Sequence, residues 1–169
     1  MLKKTKIGKV VYNGNEYGLF LSPLDPINDI ACSIDLNEIY VKNSYFKKDE
    51  NNQECFMWHE LGHIINHTGN EYVADKFACE RVGCQRFIDA IDSDFLLIKK
   101  RLSTARRDSF RNYQAYRINV LDELPETPTI EETYEIVLDK GLTIEKIKTL
   151  VFANIEGDTN EDYRMDERN

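Results

Sequence analysis

Cys55-Phe56-Met57-Trp58-His59-Glu60-Leu61-Gly62-His63-Ile64-Ile65-Asn66-His67 is the stretch on which the reading of this chain turns. Phe56, Met57, Leu61, Ile64 and Ile65 recur at helical spacing and no proline interrupts them, so the stretch is predicted to be an α-helix. On a helix His59 and His63 stand at i and i+4. Their rings leave the same face, with Cβ atoms about 6 Å apart. That separation suits two imidazoles on one tetrahedral zinc ion. Glu60, directly after the first histidine, is placed to act as general base on a metal-activated water. Gly62 costs the helix roughly 1 kcal/mol against alanine, and its missing side chain leaves room for another backbone against the metal-bearing face. The competing reading is a surface helix with two satisfied histidines; the spacing and the intervening glutamate favour the metal.

A catalytic zinc has three protein ligands and an open position. Asn70-Glu71-Tyr72-Val73-Ala74-Asp75 opens the next helix, with Glu71 and Asp75 on one face at i and i+4. Either carboxylate can reach toward the metal helix. These residues resemble the second motif of the gluzincin metallopeptidases, Asn-Glu-x-x-Ser/Ala-Asp. The resemblance implies Glu71 as the third zinc ligand and Asp75 as the carboxylate that hydrogen-bonds His59, in keeping with the usual partner of a ligating imidazole. Within the gluzincins, the stretch from His59 to His67 together with Glu71-x-x-Ala74-Asp75-x-Phe77-Ala78 is similar to the ImmA/IrrE peptidases, small cytoplasmic proteins often found on phages and mobile elements, and in scale to the minigluzincins. The likeness spans about residues 30–85. It implies a zinc-dependent peptidase that cleaves a specific intracellular protein, such as a repressor. The gap from His63 to Glu71 is short for that family, which implies that the cleft wall built by that gap is reduced or absent. His67 lies eight residues, about 12 Å, from His59 and cannot join the same ion within a regular helix. It reads either as a residue that supports the ligands without touching the ion or as a helix C-terminal residue.

Around this centre the pattern is α+β: a small antiparallel sheet packed on a helical zincin core that carries the His-Glu-x-x-His helix. Residues 7–22 read as a hairpin about Asn13-Gly14, broken by Ser22-Pro23-Leu24-Asp25-Pro26. Residues 30–42 read as a second strand pair with a turn near Asp35-Leu36-Asn37-Glu38. The strand over 39–41 feeds into the metal helix and is expected at the sheet edge, where a peptide substrate can add as a further strand; a sheet that merely covers the helix core fits the same residues. Gly69 is expected to end the metal helix and Asn70 to cap the next. Residues 108–121 continue as helix, with Tyr113, Tyr116, Ile118 and Leu121 toward the core. Tyr113, Tyr116 and the nearby arginines are chemically able to stabilise an oxyanion. Leu124-Pro125-Glu126-Thr127-Pro128 reads as a linker, Thr129 and Glu132 as a capping box starting a helix that ends at Lys140-Gly141, and Thr143 as the cap of another through about Phe152. The chain thus divides into a zincin-like metallopeptidase domain over 1–124, a helical appendage over 125–155 and a disordered acidic tail over 156–169. Residues 125–169 are expected to be dispensable for metal binding.

At 169 residues with 41% apolar side chains, the chain suits one domain with a small appendage. No apolar run approaches 18 residues, so no transmembrane helix is expected and no membrane partner. Met1-Leu2-Lys3-Lys4-Thr5-Lys6 has a basic start without the apolar stretch of an export signal, and Cys32, Cys55, Cys79 and Cys84 are scattered. Reduced thiols in a cytoplasm follow. A net charge of −8 argues against bulk attraction to nucleic acid. The charge is uneven: seven bases and one acid from 99 to 117, then fourteen acids and five bases from 122 onward. The basic run is a solvated helix face or a docking surface for an acidic partner. The rival to a peptidase is a zinc-binding regulatory or protein-interaction module of zincin fold without hydrolytic activity. A helix pair about Gly141-Leu142-Thr143 resembles a helix-turn-helix, but its acidic surroundings argue against DNA contact.

Overall fold

Asn13 and Gly14 adopt φ of 47° and 76°, the positive values a two-residue hairpin turn requires, and join β1 (Thr5–Tyr12) to β2 (Asn15–Leu21) in antiparallel register through Tyr12↔Asn15. The computed structural model describes residues 4–22 and 28–150; the break expected over 23–26 and the disorder expected over 156–169 lie outside the described residues. β3 (Ile30–Ser33) pairs antiparallel with β4 (Glu38–Val41), and β4 runs parallel to β2 with Leu19↔Ile39. β5 (Glu135–Leu138) adds antiparallel to the far side of β1 with Val10↔Ile136, giving the order β3-β4-β2-β1-β5.

Two expectations about the sheet are corrected. It is mixed rather than antiparallel, because β4 returns alongside β2 in the same direction. The edge is β3, not the 39–41 strand. Burial gives the reason: Ile39 and Val41 of β4 are fully enclosed, which suits an interior strand, whereas only Ile30 of β3 is buried.

α1 (Glu50–Ile65) is capped by Asp49, whose side chain accepts from the Asn52 amide at 2.8 Å. The helix is enclosed nearly all round, as expected for a central element: Cys55, Met57, Trp58, Leu61 and Ile64 are each at most 1% exposed. One side meets the sheet, where Trp58 packs edge-on to Tyr12 of β1 with centroids 5.3 Å apart. The other meets α2 (Glu71–Val82) and α3 (Cys84–Ile98). Gly62 sits at the closest approach to α2. A Cβ there would lie 3.0 Å from both the Ala74 Cα and the Phe77 Cβ, so the glycine admits the neighbouring backbone as its sequence position suggested. α4 (Thr104–Leu121) follows, with Leu121 buried. Tyr113 and Tyr116 are not toward the core; they are 40% and 68% exposed.

The C-terminal part departs most from expectation. No helix starts at Thr129. The amides of Thr129 and Ile130 both donate to the Glu80 carbonyl at 2.9 Å. Glu132 accepts from Arg81 Nε at 2.9 Å, Arg81 Nη2 at 2.6 Å and the Tyr12 hydroxyl, rather than reaching back to cap. A long-range ion pair thus takes the carboxylate that a capping box would have used, and the chain runs extended into β5. Tyr134 stacks edge-on against Trp58 with centroids 5.0 Å apart, and Ile147 of α5 (Ile144–Thr149), capped by Thr143, is fully buried. Residues 125–150 are therefore not a helical appendage; they complete the same sheet and core. Among the described residues no helix is long and apolar enough to cross a membrane.

Candidate metal centre

α1 ends in a turn that shapes the site. The His67 amide donates to the Ile64 carbonyl at 3.2 Å and the Thr68 amide to the His63 carbonyl at 3.1 Å, with His67 at φ 48°. This is the paired bonding of a Schellman stop, and it places the left-handed residue at His67 rather than Gly69. The same turn brings the Thr68 carbonyl to 2.8 Å from His63 Nδ1. His59 Nδ1 lies 2.8 Å from Oδ1 of Asp75, which projects from α2 one turn after Glu71. Asn70 caps α2, accepting from the Tyr72 amide at 2.9 Å and the Val73 amide at 3.4 Å, and so fixes where Glu71 begins the helix.

Both imidazoles have an oxygen facing Nδ1. The Thr68 carbonyl only accepts, so His63 Nδ1 carries the proton and His63 Nε2 presents its lone pair, whereas Asp75 stands in charge contact beside His59 Nδ1 without the geometry of a hydrogen bond. The two Nε2 atoms are 3.1 Å apart. Glu71 Oε2 is 3.3 Å from His59 Nε2, and Glu71 Oε1 is 3.5 Å from His63 Nε2. Polar atoms at such distances are held together by a shared proton or by a cation among them. Zinc bonds of about 2.0–2.1 Å at tetrahedral angles hold ligand atoms about 3.3 Å apart, so the donor set fits that ion. Among the described residues this is the one cluster of three such donors.

The charges agree with the geometry. Burial alone would lower the His59 pKa. The neighbouring carboxylates of Asp75, Glu71 and Glu60 outweigh burial and raise it to about 9. A metal ion would compete with that proton. Hydrogen bonding to His59 holds the Glu71 carboxyl below its ordinary value. For Asp75 burial acts upward, but His59 and Arg117 prevail and hold it down.

The cluster opens into a cleft of about 720 Å³. α1 contributes Phe56, His59, Glu60 and His63 to its lining. Edge strand β3 supplies Ile30, Ala31 and Cys32 on one wall, and α4 supplies Phe110, Tyr113, Gln114 and Arg117 on the other. Glu60 is 9% exposed and lines the cleft beside the histidines. Burial and the neighbouring Glu60 carboxylate push the Cys32 thiol well above its usual range, which keeps it a neutral thiol. At one end Lys48, only 6% exposed, pairs with Asp29 at 2.9 Å and with Asp94, tying the approach to β3 onto α3.

The structure brings together His59, Glu60, His63, Glu71 and Asp75. Asp75 faces Nδ1 of His59 and Glu71 faces both Nε2 atoms, so the two carboxylates occupy different positions. Tyr113 reaches the cleft; Tyr116 does not line it. Sequence reading missed the Thr68 carbonyl and the individual importance of Arg117, whose guanidinium grips both oxygens of Asp75. A signal existed: Phe110, Tyr113, Gln114 and Arg117 follow helical spacing, which singles out one arginine of the basic run as inward-facing. The chain matches no protein-family model, no curated protein and no solved structure.

Proposed function

We propose that this chain is a zinc-dependent peptidase of gluzincin type, with a zincin core, acting in the cytoplasm on a specific protein. One observation carries the reading. His59, His63 and Glu71 bring three potential ligand atoms within 3.1 to 3.5 Å of one another, with His63 oriented by the Thr68 carbonyl and Asp75 beside His59 Nδ1. Zinc bound there would polarise the scissile carbonyl and lower the pKa of its water toward about 7. Glu60 accepts the proton from the attacking water and returns it to the leaving amine. Asp75 keeps the His59 ring in register. β3 offers the unpaired edge against which an extended peptide lies, its backbone running past Glu60. Tyr113 lines the cleft and is the residue proposed to stabilise the developing oxyanion, while Arg117 is engaged by Asp75. The resemblance to ImmA/IrrE peptidases supports a single regulatory protein as substrate, and the buried Glu60 carboxylate lining the cleft favours turnover over a purely structural zinc.

The test is zinc content beside cleavage in the same preparations. The wild type should hold about one zinc per chain, and His59→Ala or His63→Ala should lose it. Glu60→Gln should keep the zinc and lose cleavage, since the base is not a ligand. Full zinc in both histidine variants would remove the reading.

A further inference from the structure

α4 is loosely joined to the molecule for its length. Of its eighteen residues only Gln114 and Leu121 are buried. A helix with so few enclosed side chains opens at low free-energy cost unless a specific contact holds it. Arg117 makes that contact. Its Nε lies 2.9 Å from Asp75 Oδ2, its Nη2 2.5 Å from Asp75 Oδ1, and its Nη1 3.4 Å from Gln114 Oε1. Asp75 is 1% exposed and the Arg117 side chain 12%. The Oδ1 atom that Arg117 grips is the same atom that stands 2.8 Å from His59 Nδ1. Nη2 of Arg117 also lies 4.0 Å from Glu71 Oε2. One buried carboxylate is therefore shared between the helix that forms a wall of the cleft and the histidine that faces the metal position.

Charge counting gives the same picture. Glu60, Glu71 and Asp75 bring three negative charges to the site. A divalent ion offsets two, and Arg117, delivered by α4, offsets the third. With α4 withdrawn, Asp75 loses a bidentate clamp that fixes both of its oxygens, and the carboxylate beside His59 Nδ1 is no longer held in place.

We propose that Arg117 is a positioning residue through which docking of α4 and metal loading are thermodynamically linked. The proposal rests on the zinc reading above. It adds that the cleft wall closes more firmly when the metal is present, and that by linkage the docked wall raises metal affinity by the same factor. Opening of α4 then loosens the ion as well as widening the cleft.

The experiment uses the full chain, with zinc as the probe, a competing chelator to measure affinity, and amide hydrogen exchange along α4. Zinc affinity should fall about 10-fold in Arg117→Met, the lower end of the range for partners of ligating residues. Arg117→Lys, which keeps the charge and loses the fork, should fall between that variant and the wild type. In the wild type, zinc should slow exchange of the α4 amides, a measurement that needs no variant and so stands even if Arg117→Met folds poorly. A merely structural ion pair would lower the stability of zinc-free and zinc-loaded protein equally and leave affinity unchanged. That result, or α4 exchange indifferent to zinc in a chain that binds it, overturns the proposal. A wild-type chain that takes up no zinc overturns the metal reading itself, and this linkage with it.

Discussion

Residues 50–82 and residues 125–150 contribute in opposite ways. The first stretch holds both histidines, Glu60, Glu71, Asp75 and the turn whose carbonyl orients His63. The second lends nothing to the cleft lining, yet it extends the sheet at β1, covers Trp58 with Tyr134 and sends Ile147 into the core. The candidate metal ligands are concentrated in two neighbouring helices. The scaffold that keeps those helices in place is spread over the whole chain. Loss of a candidate ligand from the first stretch should cost the metal and spare the fold; damage to the second should cost the fold and take the metal with it.

Ending the chain at Leu124 should have the largest effect. It removes β5, leaves β1 as an unpaired edge and exposes the faces of Trp58 and Tyr12. Loss of one large buried aromatic contact costs about 3 kcal/mol, and Ile136, Leu138 and Ile147 go with it. The sum approaches the about 5–15 kcal/mol that holds a domain folded. Thermal melting of the shortened chain should show no cooperative transition, and zinc uptake should vanish. A shortened chain that melts cooperatively and binds zinc as tightly as the wild type would restore the division at residue 124 and break the contrast.

Within the first stretch the two carboxylates should separate cleanly. Glu71→Ala removes a donor that faces both Nε2 atoms, so zinc should be lost almost wholly while the melting of the zinc-free protein barely moves. Asp75→Ala leaves the donors in place but frees the His59 ring, and affinity should fall by about 10–100-fold. It also leaves Arg117 without its buried partner, so the zinc-free protein should lose stability too. Chelator competition and melting on the same samples read both. Equal losses of zinc in the two variants would place Asp75 among the ligands.

How much of this was legible follows from sequence distance. His59, Glu60 and His63 are one helical turn, and Asn70 to Asp75 is one cap and the next turn, so period and capping chemistry are enough to orient them. The hairpin about Asn13-Gly14 is legible for the same reason. β3 and β4 were found as strands, but their order was not, because four-residue strands carry little to say which is enclosed. Glu132 shows the limit. Thr129 and Glu132 have the spacing of a capping box, and only the fold reveals that Arg81 and Tyr12 compete for that carboxylate. Arg117 lay in a run of cations that reads as solvated until α2 is seen to place Asp75 beneath it.

The Arg81–Glu132 pair gives a smaller, pH-dependent effect. The Tyr12 hydroxyl and the Arg81 guanidinium hold the Glu132 carboxyl below its ordinary value. A carboxylate depressed in the folded state contributes stability above its unfolded pKa of about 4.3, and that contribution fades as pH falls through the folded value. Glu132→Gln should therefore cost about 1 kcal/mol near neutral pH, and the gap to the wild type should narrow below about pH 4. Zinc affinity should hardly change, since the pair is remote from the cleft lining. A gap that stays constant down to pH 3 would mean that the glutamate acts through packing and not through its charge.

The smallest effect is expected at His67, and its direction is the informative part. The residue holds φ 48° at the stop of α1, a conformation that costs a side-chain-bearing residue roughly 1–2 kcal/mol and glycine almost nothing. Glycine gives back part of that gain, because the unfolded chain has more freedom to lose. His67→Gly should stabilise the protein by about 0.5 kcal/mol, a rise of about 1–2 °C in Tm for a chain of this size. The turn itself should persist, so the Thr68 carbonyl stays on His63 Nδ1 and zinc affinity stays where it was. Loss of zinc in a variant that melts higher would count His67 among the ligands, and would move the metal site outward from the two helices to the turn that joins them.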